Sequence, residues 1–241
     1  MTQRRTWLST LGALLPLIFV PLLMTPGSGL GQSTPANEQE FGSQPAGRMH
    51  ALMERTFLKV DVLTLDLCFD SDTSEGLARA LDGAENDVRD SVAQTAFNAQ
   101  EAVGLIEFKR GIELGQFLEG VAEDHERAVA AGLLADSTRN ALTEALPEWF
   151  SFLEERKILE GDRIHYRFYP DSVRTTFHGV DDLRRERVSV GKERRGSILG
   201  AYFAPGASLR DRLIESLWAE ESELASSEGR CHLAAGPRHS S

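Results

Sequence analysis

A guanidinium, an ammonium and a carboxylate recur at odd-numbered positions in the stretch RTFLKVDVLTLDLCFD, residues 55–70. In extended chain, alternate side chains share a face. Arg55, Lys59 and Asp61 therefore line up with Leu63, Leu65, Leu67 and Phe69. Charges above hydrocarbon on one face have two uses. They can hold the carboxylate head of a molecule with an apolar tail, since the guanidinium fork binds carboxylates bidentately. They can also close a structural ion network at the end of a sheet, because Lys59 and Asp61 lie two apart on one face. Both readings stay open on these residues alone.

Other chemistries lack their residues. The chain has no GxSxG nucleophile turn and no glycine-rich phosphate loop. Its six histidines show neither HxxxH nor HxxE spacing, so neither a metal nor a cofactor is expected. The acidic run EDHE at 123–126 reads as a solvated helix face.

Residues 1–31 carry Arg4 and Arg5, an apolar stretch from Trp7 to Met24 broken by Gly12, Pro16 and Pro21, and then small residues. That is the pattern of an export signal, with cleavage expected before Gln32 and a periplasmic or secreted product. A retained anchor is the alternative, but two prolines and a glycine make a poor spanning helix. Loss of the segment removes two arginines and no acids, and takes the formal charge from −11 to −13. So acidic a chain is a poor nucleic-acid binder, and once the signal is cut no integral membrane association is expected. Residues 32–47 read as a linker rich in Ser, Gly, Pro and Gln. Cys68, on an apolar strand face, reads as a buried free thiol, although pairing with Cys231 is possible in an oxidising compartment.

Between these ends the period of apolar residues changes several times. The stretch 55–70 reads as one strand. DSDTSEGLARALDG is a turn and a short helix, with Asp72 or Thr73 as N-cap. AVGLIEFKRGI alternates as a strand. Leu114, Phe117, Leu118, Val121, Ala128 and Val129 then fall at helical spacing. A further helix follows from Asp136 or Ser137, with Pro147 inside it and an aromatic cluster at Trp149, Phe150 and Phe152 that reads as core. EGDRIHYRFY and SVRTTFHGV flank Pro170-Asp171 as a hairpin, RRERVSV supplies a last strand, and two short helices separated by Pro205-Gly206 close the fold, with Ser208 as a candidate N-cap. Strands that run together and helices that cluster argue α+β with a mostly antiparallel sheet. The expected domain is 48–220, with a disordered tail over 221–241.

Three stretches, RTFLKVDVLTLDLCFD, LIEFKRGIELGQFLEGVAEDHE, and ILEGDRIHYRFYPDSVRTTFHG with SILGAYFAPGASLRDRLIESLW, resemble in order and spacing the chalcone isomerase fold, in its bacterial exported branch. The resemblance covers roughly residues 50–218. It implies an open-faced β-sandwich: a large antiparallel sheet with a layer of helices on one side and a ligand cleft between them. Catalytic plant members close a flavanone ring with an arginine, a tyrosine, a threonine, a lysine and an asparagine. Other members are associated with fatty-acid binding. Carried over, the threonine falls on Asp61, the tyrosine on Phe117, the asparagine on Asp124 and the lysine near Phe108 and Lys109; Arg55 or Arg48 is the candidate arginine. A phenylalanine cannot polarise a carbonyl, and two added carboxylates would repel a phenolate.

The resemblance thus implies a non-catalytic protein. Its cleft holds a small amphipathic ligand such as a fatty acid, contacted by Arg55, Lys59, Asp61, Lys109, Phe117 and Asp124. Two alternatives stand beside it. One is an intramolecular lyase or isomerase using Asp61 with Arg55. The other is an envelope interaction protein whose cleft its own side chains fill.

Overall fold

The computed structural model describes residues 47–55, 60–83 and 85–218. The signal, most of the linker and the whole of the tail expected above lie outside these residues, as does Lys59.

Six strands form a single antiparallel sheet in chain order: β1 (Arg48–Arg55), β2 (Val60–Phe69), β3 (Ala102–Phe108), β4 (Arg163–Phe168), β5 (Ser172–His178) and β6 (Arg184–Val190). Helices α1 (Ser71–Leu81) and α2 (Glu85–Phe97) join β2 to β3. Helices α3 (Leu114–Ala130) and α4 (Asp136–Trp149), followed by a 3-10 turn at Ser151–Leu153, join β3 to β4. Helices α5 (Lys192–Phe203) and α6 (Arg210–Glu215) close the described chain, with a 3-10 turn at Ser216–Trp218. The class is α+β, with an open antiparallel sheet and helices packed on its apolar face.

The register decides which side chains meet. Ala51, Leu65, Ile106, Ile164 and Phe177 stand opposite one another across five strands and form one apolar row. The next row runs Met49, Leu67, Gly104, Tyr166, Thr175 and Arg187. Leu77, Val92, Leu199, Phe203 and Leu213 of the helices are buried in the same core as the first row. Gly104 is required by the second row. A Cβ there would stand 3.1 Å from Leu67 Cδ2 and 3.3 Å from Tyr166 Cδ2, tighter than carbon atoms pack.

Three sequence expectations change here. Residues 55–70 are not one strand, because Arg55 ends β1 and pairs with Val60 at the start of β2. Arg55 and Asp61 therefore sit on different strands. The alternation hides this, because residues 56–59 contain no Gly, Pro, Asn or Asp to mark a turn. Helix α1 is capped by Asp70, whose Oδ1 accepts from the Thr73 amide at 2.7 Å, rather than by Asp72 or Thr73. Ser208 caps no helix; its amide and hydroxyl both donate to Asp124 Oδ1.

Cys68 is not a free thiol either: it is buried and disulfide-bonded. Its place on an apolar strand indicated burial but carried no information about a distant partner.

Candidate functional site

A cleft opens between the β4–β6 half of the sheet and helices α3, α4 and α5. Its interior measures about 120 Å³, and its whole empty space, with the open mouth, about 870 Å³. Phe117 and Val121 of α3, Leu142, Leu146 and Trp149 of α4 with Phe150 just after it, and Ile198 and Ala201 of α5 supply apolar walls. Tyr166, Val173, Thr175, Arg187 and Ser189 form the sheet side. The cleft exists because the last strand turns polar. Where a core row would continue onto β6, Arg185, Arg187 and Ser189 stand in place of apolar residues, so helix and strand cannot close on each other as they do over β2 and β3.

The aromatic cluster read as core is partly the wall of this cleft. Phe117 packs edge-on against Phe108 and Phe150, with ring centroids 5.8 and 5.3 Å apart, and Trp149 packs on Phe150 at 4.1 Å. Such edge contacts fix ring orientation and hold the wall open in one shape.

The polar groups of the cleft are few. Tyr166 and Tyr202 share a hydrogen bond; burial pushes Tyr166 up to about 12 and raises Tyr202 as well. Both are neutral hydroxyls at any ordinary pH. His125 is 5% exposed. Burial lowers its pKa, against the pull of a hydrogen bond to the Ser197 backbone and of neighbouring Asp124 and Glu126. It is a neutral imidazole near pH 7. Asp124 Oδ1 accepts from Arg127 Nη1 at 2.6 Å and from the Ser208 amide and hydroxyl, so this carboxylate ties α3 to the loop before α6. Arg187 and Arg194 are half-buried in the lining. Neither guanidinium has an ion pair or hydrogen bond with any described residue.

Tyrosines held at high pKa are poor bases at neutral pH. The Asp124 carboxylate is already engaged. Among the described residues no cluster of His, Cys, Asp or Glu is placed to hold a metal ion.

No family model matches the chain, and no curated protein matches it. Among solved structures, it is similar to a crystal structure of a fatty-acid binding protein of Arabidopsis thaliana, with 15% sequence identity, a TM-score of 0.49, and coverage of 73% of this chain and 91% of that one.

Two of the six residues proposed from sequence, Phe117 and Asp124, line the cleft. Lys109 instead pairs with Glu107 Oε1 at 2.6 Å, next to where β3 ends. Arg55 and Asp61 stand at the β1–β2 end of the sheet, and Lys59 lies outside the described residues. Sequence reasoning missed Arg187, Arg194, His125, Tyr166 and Tyr202. His125 had a legible signal. It falls four residues after Val121 and three before Ala128, on the apolar stripe of α3. The EDHE run is therefore a solvated face only at Glu123 and Glu126, and the reading of the whole run as solvated is corrected. Arg187 had no such signal, because it stands in a run of charges, RRER at 184–187.

Proposed function

We propose that the cleft binds a small amphipathic acid without turning it over. The apolar tail enters between α3, α4 and β4–β5, and the carboxylate meets Arg187 and Arg194. The observation that carries this reading is the pair of guanidiniums with no ion partner among the described residues, at the edge of a cleft walled mainly by hydrocarbon. A buried or half-buried guanidinium is stable beside an anion, and an acid with an apolar tail satisfies both halves of the site. The interior, at about 120 Å³, is smaller than the roughly 150 Å³ cavity that takes up benzene in an engineered protein. It accepts part of an alkyl tail, and the rest lies along the open mouth. Medium-chain acids fit this space better than long ones.

The order of elements supports a chalcone-isomerase-like fold, and we place the chain in an exported branch on other grounds. Export has two supports: the apolar, arginine-led N-terminus and the disulfide at Cys68, since disulfides persist in oxidising compartments. Among the described residues no helix is long and apolar enough to cross a membrane.

The test is a titration of the purified chain with acids of eight to sixteen carbons and with the matching alcohols, followed through the fluorescence of Trp149 in the cleft wall. Native mass spectrometry of protein taken from its host asks whether a lipid-sized mass travels with it. Saturable binding of acids over alcohols is expected. Charge-assisted hydrogen bonds contribute about 1.5–3 kcal/mol each, so Arg187→Ala and Arg194→Ala should each weaken acids by at least about tenfold and leave alcohols unchanged. Equal binding of acids and alcohols, or no effect of either replacement, sinks the carboxylate reading. No saturable binding of either series sinks the binding function itself.

A further inference from the structure

Two phenols meet in the lining of the cleft. Tyr166 stands on β4 and is 9% exposed, and Tyr202 stands near the end of α5. They hydrogen-bond each other. Two phenols bring two donor hydrogens, and the bond between them uses one. The second hydrogen meets no acceptor among the described residues. Asp124 acts on Tyr202 through its charge alone, and its Oδ1 is taken by Arg127 and Ser208. The rest of the cleft wall is mainly hydrocarbon, with Phe117, Leu146 and Ile198 in it. A plain alkyl tail in that space would drive water off the spare hydroxyl and offer no acceptor in return. A buried donor left without a partner is costly.

Resting on the acid-binding function above, we propose that the acid this cleft selects carries an acceptor oxygen partway along its tail, as a ketone or a hydroxyl, and that the Tyr166–Tyr202 pair is the subsite for it. The spare phenolic hydrogen donates to that oxygen. The register gives its place. Tyr166, Thr175 and Arg187 stand opposite one another on β4, β5 and β6. Strands lie about 4.8 Å apart, so the phenol pair is set about 10 Å in from the strand position of Arg187. Three bonds of an extended chain span about 3.8 Å, so about 10 Å, less a hydrogen bond of about 3 Å at one end, reaches roughly the sixth to the ninth carbon of the tail. The two kinds of polar group then do different work. The arginines select for an acid. The tyrosine pair selects among acids, because a site that hydrogen-bonds one ligand group rejects the analogue lacking it far more strongly than a hydrocarbon wall separates chains differing by a methylene.

The experiment is a calorimetric titration of the full chain near neutral pH with four acids of one length: dodecanoic acid, its ketone and its alcohol at the eighth carbon, and its alcohol at the second carbon. Wild type should bind both eighth-carbon derivatives at least about fivefold tighter than dodecanoic acid, the worth of one hydrogen bond regained, and the tighter of the two names the group the pair selects. The second-carbon alcohol should gain nothing. In the double variant Tyr166→Phe/Tyr202→Phe the order should reverse, because a hydroxyl or ketone buried against hydrocarbon without a partner weakens binding. Dodecanoic acid should bind that variant at least as tightly as wild type, which also reports that the cleft is folded. No gain for the ketone in wild type overturns the proposal, since a ketone can only accept. So does an equal gain at the second carbon, or a preference that survives in the double variant. Should that variant fail to fold, the comparison of eighth and second carbon in wild type decides alone. Binding of dodecanoic acid without any gain from oxygen leaves the acid-binding function standing and removes this inference, whereas binding of none of the four removes both.

Discussion

Asp162 gives the sharpest test of how the cleft's wall is held. Its side chain is fully buried, and both oxygens are saturated. Oδ1 accepts from Arg156 Nη2 at 2.9 Å and from the Val180 amide at 3.0 Å. Oδ2 accepts from Arg156 Nη1 at 2.6 Å and from the Leu159 amide at 2.8 Å. Arg156 also reaches Asp181 in the β5–β6 turn and lies over the Phe177 ring, 5.6 Å from its centroid. One carboxylate thus joins the chain after α4, the start of β4 and the turn that aims β6, the strand carrying Arg187.

Asp162→Asn keeps the shape but turns one of the two acceptor oxygens into a donor facing donors. At least one buried amide loses its partner, and the guanidinium loses half its fork. Breaking a buried pair from one side costs about 3–5 kcal/mol. In a domain of this size that is a fall in Tm of about 6–20 °C. Asp181→Asn is the control. Asp181 is 48% exposed, and a pair so open to solvent contributes about 1 kcal/mol or less. Calorimetry across pH adds a second readout. Burial pushes the Asp162 pKa up, but the hydrogen bonds from Arg156, Leu159 and Val180 outweigh it and hold the carboxyl below its usual range. A depressed carboxyl stabilises the fold above the unfolded pKa of about 3.9, and that contribution disappears as pH falls through the folded value. The gap between wild type and Asp162→Asn should be flat from pH 5 to 8 and narrow below about 4. A Tm shift no larger than that of Asp181→Asn would refute the reasoning.

Two smaller effects follow from the same physics. Asp70→Ala removes the N-cap of α1 and, through Oδ2, the acceptor for the Glu101 amide at 3.1 Å; a loss of about 1–2 kcal/mol in urea unfolding is expected, with the urea slope unchanged. His125 is held neutral by burial, so the unfolded chain takes up its proton first, near pH 6.5, and acid destabilises the fold below that point. His125→Gln should make the stability curve shallower between pH 6.5 and 5 by up to about 1.4 kcal/mol per pH unit. His178, also lowered by burial and by Arg184 and Arg163, keeps part of the slope in that variant.

Periodicity alone determined most of the elements. The alternation of RIHYRF and SVRTTFH, the stripe from Leu114 to Val129 and the Pro205-Gly206 break all reappear as β4, β5, α3 and the α5–α6 boundary. Those signals are local, because burial on one face imposes a period of two or of 3.6 on neighbouring residues. The α+β class follows from their order, and so does the position of Phe117 and Asp124 on the helix that walls the cleft.

What the sequence left undetermined is what depends on which strands pair, and at which residue. Arg187 reaches the row of Tyr166 only through two registers, Tyr166 with Thr175 and Thr175 with Arg187. A shift of one residue in either would turn it outward. Arg55 and Asp61 looked like neighbours on one strand until β1 and β2 paired as a hairpin. Cys68 read as a free thiol because a bond to a distant partner leaves no mark on the residues beside it. Contacts between residues far apart in the chain arise from packing, and packing placed this cleft, its cations and its tyrosines at the polar end of the sheet's otherwise apolar, helix-covered face.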